Sequence, residues 1–212
     1  MLKRLVCIGF FSVLSVLSTA SMAIEFEKGK HFAVVAEQAS ESPKVTEYFS
    51  FYCPHCFRFE PIIDAMHAAL PAGTTFVKNH VDSLPGRNPE IEHMLTKALF
   101  SAEILHVDKT MIPAIFNYIH VNKADFSNQQ DLKNLFVIND VEGEAFDKTM
   151  SSFAVNAQFN KAQRSTAALR AAGIHTVPTV IVNDKYQVIA NSITSTDEYI
   201  ALVLYLLNKT ES

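Results

Sequence analysis

A run rich in β-branched and aromatic residues, Val45–Tyr52, leads directly into Cys53-Pro54-His55-Cys56, and no other stretch of the 212-residue chain restricts the fold as strongly. The run reads as a buried strand. Pro54 suits a first helical position, where its missing N–H breaks no bond. Beyond it Phe59, Ile62, Ile63, Met66, Ala69 and Leu70 recur at helical spacing, until Pro71-Ala72-Gly73 stops them. Pro61 falls inside this helix and should kink it. A strand must therefore hand over to a helix at the first cysteine. One helical turn then brings the two sulfurs within bonding reach, with only the first facing outward.

That placement has chemical consequences. Unpaired N–H groups and the helix dipole favour a negative charge at a helix N-terminus. The thiolate is the reactive form of cysteine, so Cys53 is the expected nucleophile. His55 can add a hydrogen bond or a positive charge and lower its pKa further. Stabilising the Cys53 thiolate favours the dithiol, which makes the Cys53–Cys56 disulfide an oxidant. Cys56 should be the more buried of the two. The alternative for a lone C-x-x-C is half a zinc or iron–sulfur site, which needs more ligands.

Cysteine usage bears on that alternative. The chain holds three cysteines, and Cys7 lies in an N-terminal segment that reads as a secretory leader. Lys3 and Arg4 open it, Leu5–Leu17 is apolar, and Ser21-Met22-Ala23 offers small residues at a cleavage site. The apolar run is shorter than the roughly 20 residues a membrane-spanning helix needs. Cleavage after Ala23 would start the mature chain at Ile24 and leave only Cys53 and Cys56. A pair two residues apart closes too small a loop to restrain the unfolded chain, so its role should be chemical. An apolar share of 49% against 19% charged residues fits a globular core. Net charge is −4, with no Lys/Arg run to recommend a nucleic-acid partner.

The remaining chain reads as β-α-β, a helical block, then β-β-α. His31–Val35 is a possible first strand and Thr74–Val81 the strand after the cysteine-bearing helix. Helices are expected over Glu90–His106, Thr110–Val121, Asn128–Val137, Gly143–Met150 and Phe153–Ala172, the last stopped by Gly173. Thr179–Val182 and Gln187–Ala190 bracket Asn183-Asp184-Lys185-Tyr186 as a hairpin. Thr196 or Asp197 should cap the final helix. His67, His93, His106, His120 and His175 read as surface or core-edge residues rather than ligands, and His80 as a candidate to approach the cysteines. Met66, Met94, Met111 and Met150 read as core fillers, as do most of the sixteen phenylalanines.

Three segments together carry a family resemblance: Glu47–Cys56 with its Cys-Pro-His-Cys, Val77-Lys78-Asn79-His80-Val81, and Val177-Pro178-Thr179. They resemble the thioredoxin superfamily and, within it, the bacterial periplasmic thiol:disulfide interchange proteins of DsbA type. The resemblance extends over nearly the whole mature chain. It implies an α/β thioredoxin fold with an inserted all-helical domain. The corresponding boundaries are a signal peptide over 1–23, a first thioredoxin part over 24–85, the helical insertion over 86–162 and a second thioredoxin part over 163–212. It implies a cis Val177–Pro178 bond beside the cysteines, leaving the Val177 backbone to pair with extended substrate. It also implies that Glu47 and Lys78 support proton transfer near Cys56. The chain lacks tryptophan, and Tyr52 and Phe57 flank the site where relatives vary.

The expected activity is oxidation of reduced, unfolded secreted proteins in the periplasm, by Cys53, Cys56, His55 and Pro54. No metal and no cofactor beyond the cysteine pair are expected, and a monomer is. A quinone-linked membrane oxidase of DsbB type would restore the disulfide. Two other readings stay open: a disulfide isomerase or reductase, and a binding module using the same groove.

Overall fold

The computed structural model describes residues 25–82 and 84–209. The leader expected over 1–23, its cleavage site and Cys7 lie outside the described residues.

A five-stranded sheet in the order β1-β5-β4-β2-β3 forms the scaffold. Its strands are β1 (Phe32–Val34), β2 (Lys44–Phe49), β3 (Thr75–His80), β4 (Thr179–Val182) and β5 (Tyr186–Val188). Strand β2 runs parallel to β3 and antiparallel to β4, so it lies in the interior of the sheet. Five of its six residues are buried, as a strand covered on both faces requires. The parallel pair needs a crossover, which is α1 (Pro54–Ala69). Pro61 sits within this continuous helix.

Between β3 and β4 come α2 (Pro89–Ile104), α3 (Asp108–His120), α4 (Gln129–Val137), α5 (Gly143–Met150) and α6 (Phe153–Ala171), and α7 (Thr196–Leu207) ends the chain. Most boundaries fall within a residue or two of the expected ones. Helix α6 ends in a Schellman motif: the Ile174 amide reaches the Leu169 carbonyl and the Gly173 amide the Arg170 carbonyl. Gly173 takes φ +80° there, a conformation that disfavours side chains with a Cβ.

Two expectations change. The cap of α7 is Ser195, whose side chain accepts from the Glu198 amide, rather than Thr196 or Asp197. Three adjacent residues carry cap-competent side chains, and the choice depends on where the chain leaves the preceding turn. Tyr186 belongs to β5 opposite Val182, so the hairpin turn is shorter than expected. Asn183 and Asp184 take φ of 52° and 54°, and the Lys185 amide bonds back to the Val182 carbonyl. That is the mirror-image turn that matches strand twist.

Two main cores result. One lies between the sheet and the pair α1 and α7, built from Val45, Val180, Val182, Ile63, Met66, Leu202 and Leu206 among others. The other fills the helical block with Leu95, Leu99, Met111, Phe116, Phe136 and Phe146. Phe49, Phe51, Tyr52, Cys53 and Cys56 belong to this second core, although β2, α1 and the turn between them carry these residues. The cysteines therefore sit at the seam of the two. A smaller cluster of Tyr48, Val81, Leu169, Ile174 and Ile181 joins α6 to the sheet.

Candidate active site

The turn between β2 and α1 delivers the first cysteine. The Cys53 amide bonds to the Ser50 carbonyl at 3.0 Å, and the Tyr52 amide to Ser50 Oγ at 3.2 Å. Cys53 is the N-cap of α1, with extended backbone, and Pro54 follows it at the start of the helix. Its Sγ accepts the Cys56 amide at 3.2 Å. A sulfur thus takes the place that a Ser or Asp side chain usually fills at a helix start. Both cysteines are free thiols, so the structure is that of the dithiol.

The two sulfurs differ sharply. Cys53 keeps 8% of its surface exposed and Cys56 none. The Cys53 pKa is lowered to about 6, chiefly because the Cys56 thiol donates to it, with help from the Cys56 and His55 amides and the His55 charge; partial burial opposes this. The Cys56 thiol is pushed up strongly by the same bond, in which it is the donor, and by its burial. His55 is exposed, and its Nδ1 lies 3.0 Å from the Arg58 guanidinium. The guanidinium can only donate, so Nδ1 is the acceptor of this contact whenever the ring is neutral.

Opposite the cysteines stands the chain before β4. The Val177–Pro178 peptide is cis, and Cys53 Sγ lies 3.6 Å from the Val177 carbonyl. Strand pairing sets the charged floor. Glu47 on β2 is in register with Lys78 on β3, so both project to the same face. Lys78 Nζ lies 2.7 Å from Glu47 Oε2 and 2.8 Å from Glu60 Oε1. Glu47 is fully buried, and its Oε1 has no partner. Burial raises its pKa against the pull of Lys78. Glu60 rises to about 7 through burial, with Lys78 opposing and Glu47 adding to the rise. Lys78 is pushed up because the two carboxylates outweigh its own burial. Two acids share one base here, and burial disfavours the charged form of both carboxyls. The Glu47 charge also reaches Cys56 and helps keep it protonated.

Glu60 was not among the residues singled out in the sequence. It had a signal, since it lies one helical turn beyond Cys56 on the same helix face. His120 had none. It ends α3, and its Nε2 lies 2.7 Å from the Phe51 carbonyl, while its ring stacks on Phe57 at 5.2 Å and 10°. Tyr52 is likewise held from the helical block: its hydroxyl donates to Asp125, and Arg87 lies 4.1 Å above its ring. A cleft of about 350 Å³ opens there, lined by Tyr52, Arg87, Ile91, Asp125 and Phe126 among others.

His80 is fully buried between Phe49 and Phe51, with Nδ1 2.8 Å from Thr96 Oγ1. Burial lowers its pKa to about 3, so it is neutral. It flanks the strand that leads to the site and is not among the hydrogen-bond partners of either sulfur. Met66, Met111 and Met150 are buried core, as expected. Among the described residues, no group of three or more His, Cys, Asp or Glu is arranged to hold a metal ion.

Comparison with known proteins gives a consistent picture. The family model described as Thioredoxin matches residues 36–201. The thiol:disulfide interchange protein DsbA of Dickeya dadantii is 33% identical over 190 residues, covering 87% of this chain and 88% of the relative. DsbA of Haemophilus influenzae is 31% identical over 215 residues, covering 99% of this chain and 100% of the relative. Among solved structures, a cysteine-to-serine variant of Proteus mirabilis DsbA, in complex with the non-covalently bound peptide PWATCDS, superposes with a TM-score of 0.78. It is 25% identical and covers 88% of this chain and 100% of that one. DsbA of Klebsiella pneumoniae superposes with a TM-score of 0.77 at 26% identity, covering 88% of this chain and 100% of that one.

Proposed function

Because the chain belongs to the thioredoxin family and, within it, to the thiol:disulfide interchange proteins of DsbA type, we propose that it oxidises thiols of folding secreted proteins by passing them its Cys53–Cys56 disulfide. The observation that carries this reading is the position of Cys53 Sγ. It caps a helix and accepts the Cys56 amide, beside a partner sulfur that is wholly enclosed.

The cycle starts from the disulfide. A substrate thiolate attacks Cys53 Sγ, the exposed end of the bond. The Cys53–Cys56 bond breaks, its electron pair goes to Cys56 Sγ, and Cys56 takes up a proton because its surroundings disfavour the anion. The carboxylates of Glu47 and Glu60, with Lys78 between them, are the proposed local store for that proton. A second substrate thiolate then attacks the substrate sulfur of the mixed disulfide and expels Cys53. The leaving sulfur departs as a thiolate held by the helix start. The substrate has lost two electrons and gained a disulfide, and the enzyme is now the dithiol. A low-pKa thiol is the better leaving group in that second step. DsbA is itself a standard example of a depressed cysteine pKa and an oxidising disulfide, so this direction is a family property.

The other assignments follow the same reading. Pro54 and His55 shape and polarise the helix start, and the Val177 backbone before Pro178 pairs with extended substrate. Residues 24–85 and 163–212 form the thioredoxin part around an insertion over 86–162. Helix α6 runs unbroken across the second of these junctions. The proposed site of action is the periplasm. The reaction uses the protein's own disulfide and no other cofactor, and a quinone-linked membrane oxidase of DsbB type regenerates it. The test is C53S. Oxidation of a reduced, unfolded substrate protein should disappear; full retained activity would remove Cys53 from its role.

A further inference from the structure

The peptide plane between Phe51 and Tyr52 decides where the chain turns from β2 into α1, one residue ahead of the reactive cysteine. Both of its polar groups are held. The N–H donates to Ser50 Oγ at 3.2 Å, inside the turn, and the carbonyl lies 2.7 Å from His120 Nε2, supplied by the helical block. A carbonyl only accepts, so His120 is the donor and Nε2 carries the proton. The same ring stacks at 10° on Phe57, the residue that follows Cys56. Phe116 packs against Phe51, Phe57 and His120, at 5.0, 5.7 and 6.0 Å between ring centres. One imidazole thus holds the chain just before Cys53 and just after Cys56.

We propose that His120 is a positioning residue for Cys53: its Nε2–H fixes the Phe51 carbonyl, and through that peptide it holds Cys53 at the capping position of α1. Its place in the fold favours the task. As the last residue of α3 it sits at a helix end that welcomes a donor or a positive ring. Phe51 is fully buried, and a buried carbonyl that loses its donor must find another or carry the cost of having none. The nearest remedy is rotation of the Phe51–Tyr52 peptide. That would also break the Tyr52 N–H bond to Ser50 and swing Cys53 away from the Cys56 amide. The thiolate would lose support and the disulfide would become a weaker oxidant.

The inference rests on the proposed role of Cys53, and two variants at position 120 separate its parts. H120F keeps an aromatic ring against Phe57 but has no donor. H120Q gives up the ring but can place an amide N–H at similar reach. The measurement is the redox equilibrium with glutathione, together with absorbance titration of the Cys53 thiolate and a melting curve for each protein. H120F should lower the equilibrium constant by about three- to tenfold, the range one hydrogen bond carries, while H120Q stays within about twofold of the parent. A folded H120F with the parent's constant overturns the proposal, and so does an H120Q as far displaced as H120F. If H120F does not fold, H120M gives the same comparison with a smaller, donor-free side chain. Failure of the parent protein to exchange with glutathione through Cys53 would strike the proposed function instead, so the two failures are distinguishable.

Discussion

The mouth and the floor of the active site lie one helical turn apart and treat charge in opposite ways. At the mouth, Cys53 has a thiol donor, backbone amides and an exposed histidine around it, and a negative charge is welcome. At the floor, Cys56 is enclosed and faces the field of a buried carboxylate, and a negative charge is resisted. A single C-x-x-C thereby gains a direction, with one sulfur built to leave and one to stay protonated. The lesson is that burial and hydrogen bonding, rather than residue type, divide the labour between identical side chains.

That contrast can be broken from the floor. Among the described residues, Lys78 is the cation that bonds both Glu47 and Glu60. K78M would leave two buried acids without a base, and removal of one partner from such a set costs about 3–5 kcal/mol. Denaturant unfolding at pH 7.5 should show that loss, and it should shrink as the pH falls and the acids take up protons. An unchanged midpoint would mean that the floor is far wetter than its burial implies.

The mouth predicts a pH signature of its own. Cys53 in the folded dithiol titrates near 6, well below an ordinary thiol. A folded-state pKa below the unfolded one gives stability that is fully present above the unfolded value and lost as pH falls through the folded value. The reduced protein should therefore gain on the order of 3 kcal/mol relative to the oxidised protein between pH 6 and about 9. Glu60 also titrates near 7, but it is present in both redox states and drops out of the difference. Unfolding curves of the two forms across that range check this. Parallel curves would remove the thiolate's advantage.

The smallest expected effect sharpens the contrast without dismantling it. E47Q removes a negative charge that helps to hold the proton on Cys56, while Glu60 still pairs with Lys78. Cys56 should then ionise more easily and attack the mixed disulfide more often. Unproductive release of substrate at neutral pH should rise by roughly two- to fivefold. Quenched-flow analysis of a mixed disulfide formed at Cys53 would measure it.

How far the sequence revealed this arrangement depends on how local each cause is. The run into Cys53-Pro54-His55-Cys56 announces a strand, a turn and a helix start with no help from the rest of the chain. Gly143–Met150 and Thr179–Val182 were legible to the residue because their apolar spacing and flanking breakers agree. The α7 cap was misplaced because Ser195, Thr196 and Asp197 can each accept an amide, and only the incoming chain direction chooses. Glu60 was recoverable from its spacing to Cys56. His120 and Asp125 were not, since each lies more than sixty positions from the residue it holds and no local pattern marks the pairing.

Cys56 is carried by α1, yet it belongs to the same buried cluster as Leu95, Met111 and Phe116 of the inserted helices. The burial of Cys56 therefore depends on a core that the helical bundle fills. Loosening of that bundle would thin the core around Cys56 even with the sheet undisturbed. The rate at which a small alkylating reagent finds Cys56 is thus a built-in gauge of how firmly the inserted helices are seated.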